Sequence, residues 1–573
     1  MLHRTLAFIA APLLLAGCTT TLPPESTGTA SKQRADTLGL VSAADPRAAQ
    51  AGATMLRNGG SATDAAIATM LALTVVEPQS SGIGGGGFYV RGEPDGTVTT
   101  IDGRETAPAQ AGPDWFLDAG GNPVPFPDAV LSGLSIGVPG NLRLAAQAHE
   151  KYGKLPWSEL FQPAIALARD GFSITERFHQ YLGLGKGRAD KTEFGKALFY
   201  DDAGEPLPVG TTIRNPQLAE TLQRIAERGP DTFYDGPHGE ELASAIAAYT
   251  PGDDVMAAAD LTSYEAKWRD PVCGEYRSYR ICGMGPPSSG ATTVYAILKQ
   301  LEHFDLTALG PDSPVSWHLF AESQRLAYAD REIYLGDSDY VQVPVKGLTD
   351  PDYLAARGSL ISASHSLQHV EAGKPAGVAL NWADGEEPAE NGTSHFVAVD
   401  REGNIVSYTS TVEGPFGSGL TFGGFYLNNE LTDFSLVPEK DGHEVANRVE
   451  GGKRPRSSMA PTVVYDAQGR LVIAVGAAGG GTIPVQVAKA LIGMLDWGLS
   501  AQDAIALPGL YSPGDTVAIE PGSALVAMKP QLEALGHKVI ERQMPFKANA
   551  AQWVDGRWVG AADPRSEGSS VSE

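Results

Sequence analysis

Cysteine is nearly missing from this chain: three copies occur in 573 residues, Cys18, Cys273 and Cys282, and no two of them form C-x-x-C. Histidine is sparse as well, and none of its 11 copies falls in an H-E-x-x-H pattern. Thiol nucleophiles and recognisable metal motifs therefore recede, and no metal or other cofactor is expected. Basic charge is the third shortage, since 43 Lys and Arg face 68 Asp and Glu for a formal net charge of -25. A phosphate backbone needs a basic surface, so nucleic acid is not an expected partner. A small anionic substrate would have to be met by a local arginine against the overall field. The apolar run near the N-terminus, Leu6 to Leu15, is too short to span a bilayer. A G-X-Y period is missing too, although the chain carries 67 glycines and 40 prolines; scattered among apolar segments, they describe a loop-rich globular enzyme.

Among the features that are present, the first is a targeting segment. Residues 1–18, MLHRTLAFIAAPLLLAGC, join a short basic region (His3, Arg4) to the apolar run and then to small residues, the pattern of an export signal. Leu15-Ala16-Gly17-Cys18 resembles the bacterial lipobox, in which the cysteine becomes the lipidated first residue; ordinary signal peptidase cleavage nearby is the other reading. The expected location is periplasmic or attached to the outer membrane of a Gram-negative-type bacterium, with the membrane reached through the lipid anchor only. Residues 19–35, rich in Thr, Ser and Pro, read as a flexible tether. Export also permits a structural disulfide between Cys273 and Cys282, which flank a hairpin pattern with its turn near Gly274 to Ser278.

With 42% apolar residues, the length allows two or three domains or one large layered body. From about 36 to 390 the pattern is mostly helical. Ser61 caps a run to Val76, Pro156 to Ser158 open another that continues to Gly171, and further helices are predicted at 217–228, 240–249, 292–302 and 315–335. An early hairpin is predicted at 87–91 and 97–102 around Pro94, Asp95 and Gly96. After 393 the pattern changes to strands: HFVAVD and IVSYTSTV form one hairpin, APTVVYD and LVIAVGA another, the second leading through a glycine run into the helix VQVAKALIGMLDWG. Strand hairpins backed by helices suggest an αββα sandwich in the α+β class. Gly82, Gly84 and Gly87 satisfy G-x-G-x-x-G, but a helix pattern precedes them and a strand follows, which is the reverse of a dinucleotide fold.

The boundary between the two grammars reads NGTSHFVAVD, residues 391–400. Thr393 can be an ordinary strand-starting residue, and Asn391-Gly392-Thr393 matches a glycosylation sequon that a bacterial-type export signal makes irrelevant. A third reading is chemical. A threonine hydroxyl becomes a useful nucleophile beside a base, and its own α-amine is such a base once the preceding peptide bond is cut. Attack of Thr393 Oγ on the Gly392 carbonyl would shift the acyl group from N to O, and hydrolysis would free that amine. Glycine at 392 suits the strained geometry this needs.

NGTSHFVAVD is accompanied by TSTVEGPFGSG (409–419), LNNELTDFS (427–435), GKRPRSSMAPT (452–462) and GAAGGGTI (476–483), and upstream by DGRETAPA (102–109), MGPPSSGATT (284–293) and AYADREIYLGD (327–337), with DPRSEG (563–568) downstream. Together these resemble the gamma-glutamyltransferase (gamma-glutamyltranspeptidase) family of N-terminal nucleophile hydrolases. The resemblance implies a four-layer αββα sandwich formed jointly by a large subunit, 36–392, and a small catalytic subunit, 393–573, that stay together as a heterodimer after self-cleavage. It implies Thr393 as autoprocessing and catalytic nucleophile, Thr411 as its orienting partner, and Gly479 and Gly480 as the oxyanion hole. Arg104, Ser457 and Ser458 would hold the substrate α-carboxylate, with Glu430 and Asp433 on its α-ammonium. The implied substrate is glutathione or another γ-glutamyl compound, with water or an amino acid or peptide amine as acceptor.

Three features depart from the glutathione-active pattern. Glu413 stands where an asparagine is usual, Glu430 where bacterial members carry glutamine, and the segment from Phe434 to Arg454 is short and lacks a lid tyrosine. An open site favours hydrolysis over transfer. It also keeps glutaryl-cephalosporin acylase and poly-γ-glutamate cleavage as alternatives, beside a lipid-anchored surface protein with a degenerate site.

Overall fold

Two antiparallel sheets face each other, and alternation along their strands decides which side chains meet which layer. The computed structural model describes Met1 and residues 39–378, 382–385 and 392–573; the signal, Cys18, the tether and Asn391 lie outside the described residues. The first sheet runs, in spatial order, Ser569–Ser572, Gly39–Ala43, Ser394–Asp400, Ile405–Thr411, Gly86–Gly92, Val98–Gly103 and Lys267–Arg269. The second runs Arg557–Ala562, Lys547–Val554, Leu471–Ala478, Thr462–Tyr465, Tyr279–Gly283 and Val272–Tyr276.

In the first sheet Val41, Ala43, Phe396, Ala398, Val406 and Tyr408 pack with helices Pro46–Arg57, Ala62–Val76 and Gln162–Asp170. Their neighbours one residue along, Leu40, Val397, Val399 and Ile405, pack instead with Ile473, Val475 and Ala550 of the second sheet. Helices Gly290–Leu301, Pro314–Tyr334 and Ile483–Leu495 belong to that same second core. This period of two yields the four layers, helix, sheet, sheet, helix. The α+β αββα expectation therefore holds. No helix among the described residues is long and apolar enough to cross a membrane.

Local signals place most elements. Ser61 caps Ala62–Val76 in a reciprocal capping box with Asp64, worth about 1 kcal/mol. All fifteen residues of that helix are buried, so it has no polar face. The helix expected from Trp157 to Gly171 forms as two pieces, Trp157–Leu160 and Gln162–Asp170, because Pro163 cannot donate to the ladder. Cys273 and Cys282 face each other across neighbouring strands and are bonded, with Cα atoms 4.1 Å apart. Closing so short a loop contributes about 2–3 kcal/mol. The turn of that hairpin is Arg277 and Ser278, and Gly274 lies within the strand, because its Cβ position is filled by the Tyr295 ring at 2.3 Å.

The glycines of SSGIGGGGF are explained by packing. A Cβ on Gly84 would meet the Tyr426 carbonyl at 2.1 Å, and one on Gly85 the Thr411 carbonyl at 1.9 Å. The run lets the chain cross the end of the Thr411 strand at backbone contact. It lies after a helix and before a strand, as the sequence indicates.

Candidate active site

Thr393 sits one residue before strand Ser394–Asp400, and Thr411 ends the antiparallel strand Ile405–Thr411, whose last pairing with it is Ser394 to Ser410. Both threonines occupy odd positions, the face turned to the second sheet, so their side chains meet at the open end of the ladder. Thr393 Oγ1 lies 3.0 Å from Thr411 Oγ1, which accepts the Glu413 amide proton at 2.8 Å. Thr411 Oγ1 thus links the Thr393 hydroxyl to the Glu413 backbone, which fixes the two oxygens relative to each other.

The backbone strain at this position is local. Thr393 has φ +84°, a left-handed conformation that a β-branched residue rarely adopts and that costs on the order of 1–3 kcal/mol. Gly392 contributes space: a Cβ there would sit 1.9 Å from the Glu413 carbonyl oxygen. The unusual backbone thus falls on the threonine, and the glycine permits the close approach. The Thr393 N–H donates to the Ser80 carbonyl at 2.9 Å.

One small cleft brings Thr393 and Thr411 together with Arg104, Glu413, Asp433, Ser457, Ser458, Gly480 and Gly481. Arg104 follows strand Val98–Gly103 and is buried; its Nη1 donates to Glu430, its Nη2 to Asp433 and, at 2.9 Å, to the Arg456 carbonyl. Glu430 and Asp433 share one short helical turn, Glu430–Asp433, and Glu413, Glu430 and Asp433 have carboxylate oxygens within 4.8 Å of one another. Three carboxylates could in principle gather a metal ion, but the Arg104 guanidinium already bridges two of them. An arginine between carboxylates suits a zwitterion, whose carboxylate and ammonium can take over the two halves of the ion pair.

Ser458 Oγ accepts from Arg331 Nη2 at 2.6 Å, and Ser457 Oγ accepts the Met459 N–H at 3.2 Å. Arg331 brings charge to Ser458 from helix Pro314–Tyr334, a contact the sequence did not reveal, since an arginine in a long helix reads as surface. Gly479 and Gly480 have φ +122° and +56°. The Gly479 carbonyl accepts from the Thr482 amide at 3.2 Å and from Thr482 Oγ1 at 2.8 Å, and Gln486 Nε2 donates to the Ala478 carbonyl at 2.7 Å. These bonds hold the Ala478 and Gly479 carbonyls within the loop and fix its backbone. Gly480 and Gly481 line it, with Gly479 one residue behind. Next to Arg104, burial pushes the Glu105 carboxyl up to about 8, so it is largely protonated at neutral pH.

Residues 48–572 match the family model described as gamma-glutamyltranspeptidase. The chain is 37% identical to the glutathione hydrolase proenzyme of Escherichia coli over 92% of its own length and 90% of that protein's. It is 36% identical to the corresponding Bacillus subtilis proenzyme, over 93% and 91%. Among solved structures it is similar to a cephalosporin acylase from Bacillus halodurans, with TM-score 0.80, 27% identity, and 93% and 96% of the two chains covered.

Proposed function

The chain belongs to the gamma-glutamyltranspeptidase family, and on that premise we propose that it is an autoprocessed γ-glutamyl hydrolase and transferase acting on glutathione and related γ-glutamyl amides. The observation that carries this reading is the cleft itself, where the Thr393 and Thr411 hydroxyls stand 3.0 Å apart beside an arginine paired with two carboxylates.

Maturation begins with attack of Thr393 Oγ on the Gly392 carbonyl carbon. The C–N bond breaks, the amide nitrogen takes up a proton, and the ester is hydrolysed to leave two chains, one ending at Gly392 and one running from Thr393 to 573. Release of the strained φ at Thr393 favours the cut. In turnover the α-amine of Thr393 accepts the hydroxyl proton as Oγ attacks the substrate γ-carbonyl, and glycine-loop amides stabilise the oxyanion. Arg104, Ser457 and Ser458 hold the α-carboxylate; Glu430, Asp433 and Glu413 face the α-ammonium. The γ-glutamyl ester then passes to water or to an amine. Between Phe434 and Arg454 the chain forms only a small hairpin, Glu439–Lys440 with His443–Glu444, and carries no tyrosine, which supports hydrolysis as the main outcome. The export signal supports a lipid-anchored periplasmic location through Cys18.

The similarity to a cephalosporin acylase motivates a second reading, in which a glutaryl side chain takes the γ-glutamyl place. It leaves three carboxylates with no ammonium to receive. Denaturing gels with N-terminal sequencing test the maturation: a small chain beginning Thr-Ser-His-Phe is expected, and a single chain near 60 kDa would rule the enzyme out. Comparing γ-glutamyl and glutaryl anilides, with and without glycylglycine, tests the substrate; faster glutaryl turnover would favour the acylase.

A further inference from the structure

Glu77 and Lys547 form a buried ion pair that does not line the cleft, 470 residues apart in the chain. Lys547 Nζ lies 3.0 Å from Glu77 Oε2 and 3.3 Å from both Ser80 Oγ and Ser394 Oγ, and Ser394 Oγ donates to the same Glu77 oxygen at 2.6 Å. Ser394 is the residue after the nucleophile. The Ser80 carbonyl accepts the N–H of Thr393 at 2.9 Å and that of Val412, the residue after Thr411, at 3.2 Å. The lysine head group therefore grips both segments that fix the Thr393 nitrogen.

Its backbone faces the other half of the chemistry. Lys547 pairs with Ala478, the residue before Gly479, and its N–H donates to Gln486 Oε1 at 3.0 Å, while Gln486 Nε2 holds the Ala478 carbonyl. Burial lowers the Lys547 pKa and the Glu77 charge opposes this; for Glu77, burial is outweighed by the Lys547 and Arg177 charges and the Ser394 hydroxyl, which hold its pKa down. A buried ion pair adds little stability over apolar side chains of the same volume, so one placed here points to a positional role.

We propose that Lys547, with Glu77 as counter-ion, is a positioning residue for Thr393, holding Ser80 and Ser394 so that the threonine nitrogen and hydroxyl stay aimed during both self-cleavage and turnover. The proposal rests on Thr393 being the nucleophile. After the cut, Glu77 and Ser80 belong to one subunit and Ser394 and Lys547 to the other, so the pair also joins the two chains at the new terminus.

The test uses the full chain made by cell-free synthesis, with cleavage followed on denaturing gels and the matured protein assayed on a γ-glutamyl anilide, with L-glutamate as competing ligand. Lys547→Met is expected to slow cleavage and lower kcat by tenfold or more each, a loss of the size that misplaced reacting atoms produce, with KM and glutamate affinity within about twofold. Ser80→Ala and Ser394→Ala, which remove single legs of the anchor, are expected to lose roughly threefold in the same two rates. Parent-like cleavage and kcat in Lys547→Met, or a loss confined to KM, would overturn the proposal. Should Lys547→Met fail to fold, the two serine variants decide: parent-like rates in both overturn it, and slower cleavage with unchanged glutamate affinity supports it. A parent protein that never cuts would instead sink the proposed function.

Discussion

The two walls of the cleft are built by opposite means. At Thr393 the groups are uncharged hydroxyls and backbone amides, aimed by the end of a strand ladder and by a positive φ. At Arg104 the groups are ions, a guanidinium paired with two carboxylates and a third carboxylate close to those two. Geometry serves a nucleophile, which must reach a carbon within a few tenths of an ångström, and charge serves recognition, which tolerates more. The difference implies that the walls fail separately: damage to the first stops maturation and chemistry, while damage to the second leaves maturation alone and weakens binding.

The largest expected effect is Thr393→Ala, which should give one uncut chain near 60 kDa and no turnover, read on a denaturing gel and in the anilide assay. Gly392→Ala comes next. Its added carbon meets the Glu413 carbonyl at 1.9 Å, so cleavage should slow by at least about tenfold, measured as the half-time of precursor loss. On the charged wall, Arg104→Lys keeps a cation but loses the two-pronged geometry, and KM should rise roughly tenfold to hundredfold with cleavage unaffected. Uncut Arg104→Lys protein would break the comparison. Glu413→Asn removes one of the carboxylates that face the α-ammonium, and KM should rise by about threefold at low salt and less at high salt.

The smallest effect at neutral pH concerns His395, fully buried between the sheets, with Nδ1 2.9 Å from Thr409 Oγ1 and its ring filling the Cβ position of Gly476. Burial holds its pKa down to about 3, against 6.5 for a free histidine. As pH falls through 6.5 the unfolded chain takes up the proton first, so stability drops between about 6.5 and 3, at up to about 1.4 kcal/mol per pH unit. His395→Gln should flatten that acid limb in urea unfolding midpoints at pH 7 and pH 4 while leaving the pH 7 value nearly unchanged.

Helices with caps and long periodicity, such as Ala62–Val76 and Pro314–Tyr334, were readable in the residues, as were the hairpins around 400 and 466. Strands Gly39–Ala43, Lys547–Val554, Arg557–Ala562 and Ser569–Ser572 were not. Each pairs with at least one partner far along the chain or carries too short or too small-residue a pattern to announce itself. The same limit applied at the site. Thr393 and Thr411 follow from one hairpin, but the Arg331 contact to Ser458 and the Glu77–Lys547 pair join distant segments whose charges, read singly, look like solvated surface.

By itself the sequence determined the local geometry and the chemical inventory: a threonine at the head of a strand, a glycine before it, glycine loops, an acidic segment and an arginine at the end of a strand, whose role only the family resemblance supplied. Capping, alternation and the absence of Cβ act within a few residues, so they are written locally. Only the tertiary structure decided which charges are buried and with whom, and that the positive φ falls on Thr393 while Gly392 supplies room. Those outcomes depend on desolvation and close packing between segments hundreds of residues apart, which no local pattern encodes.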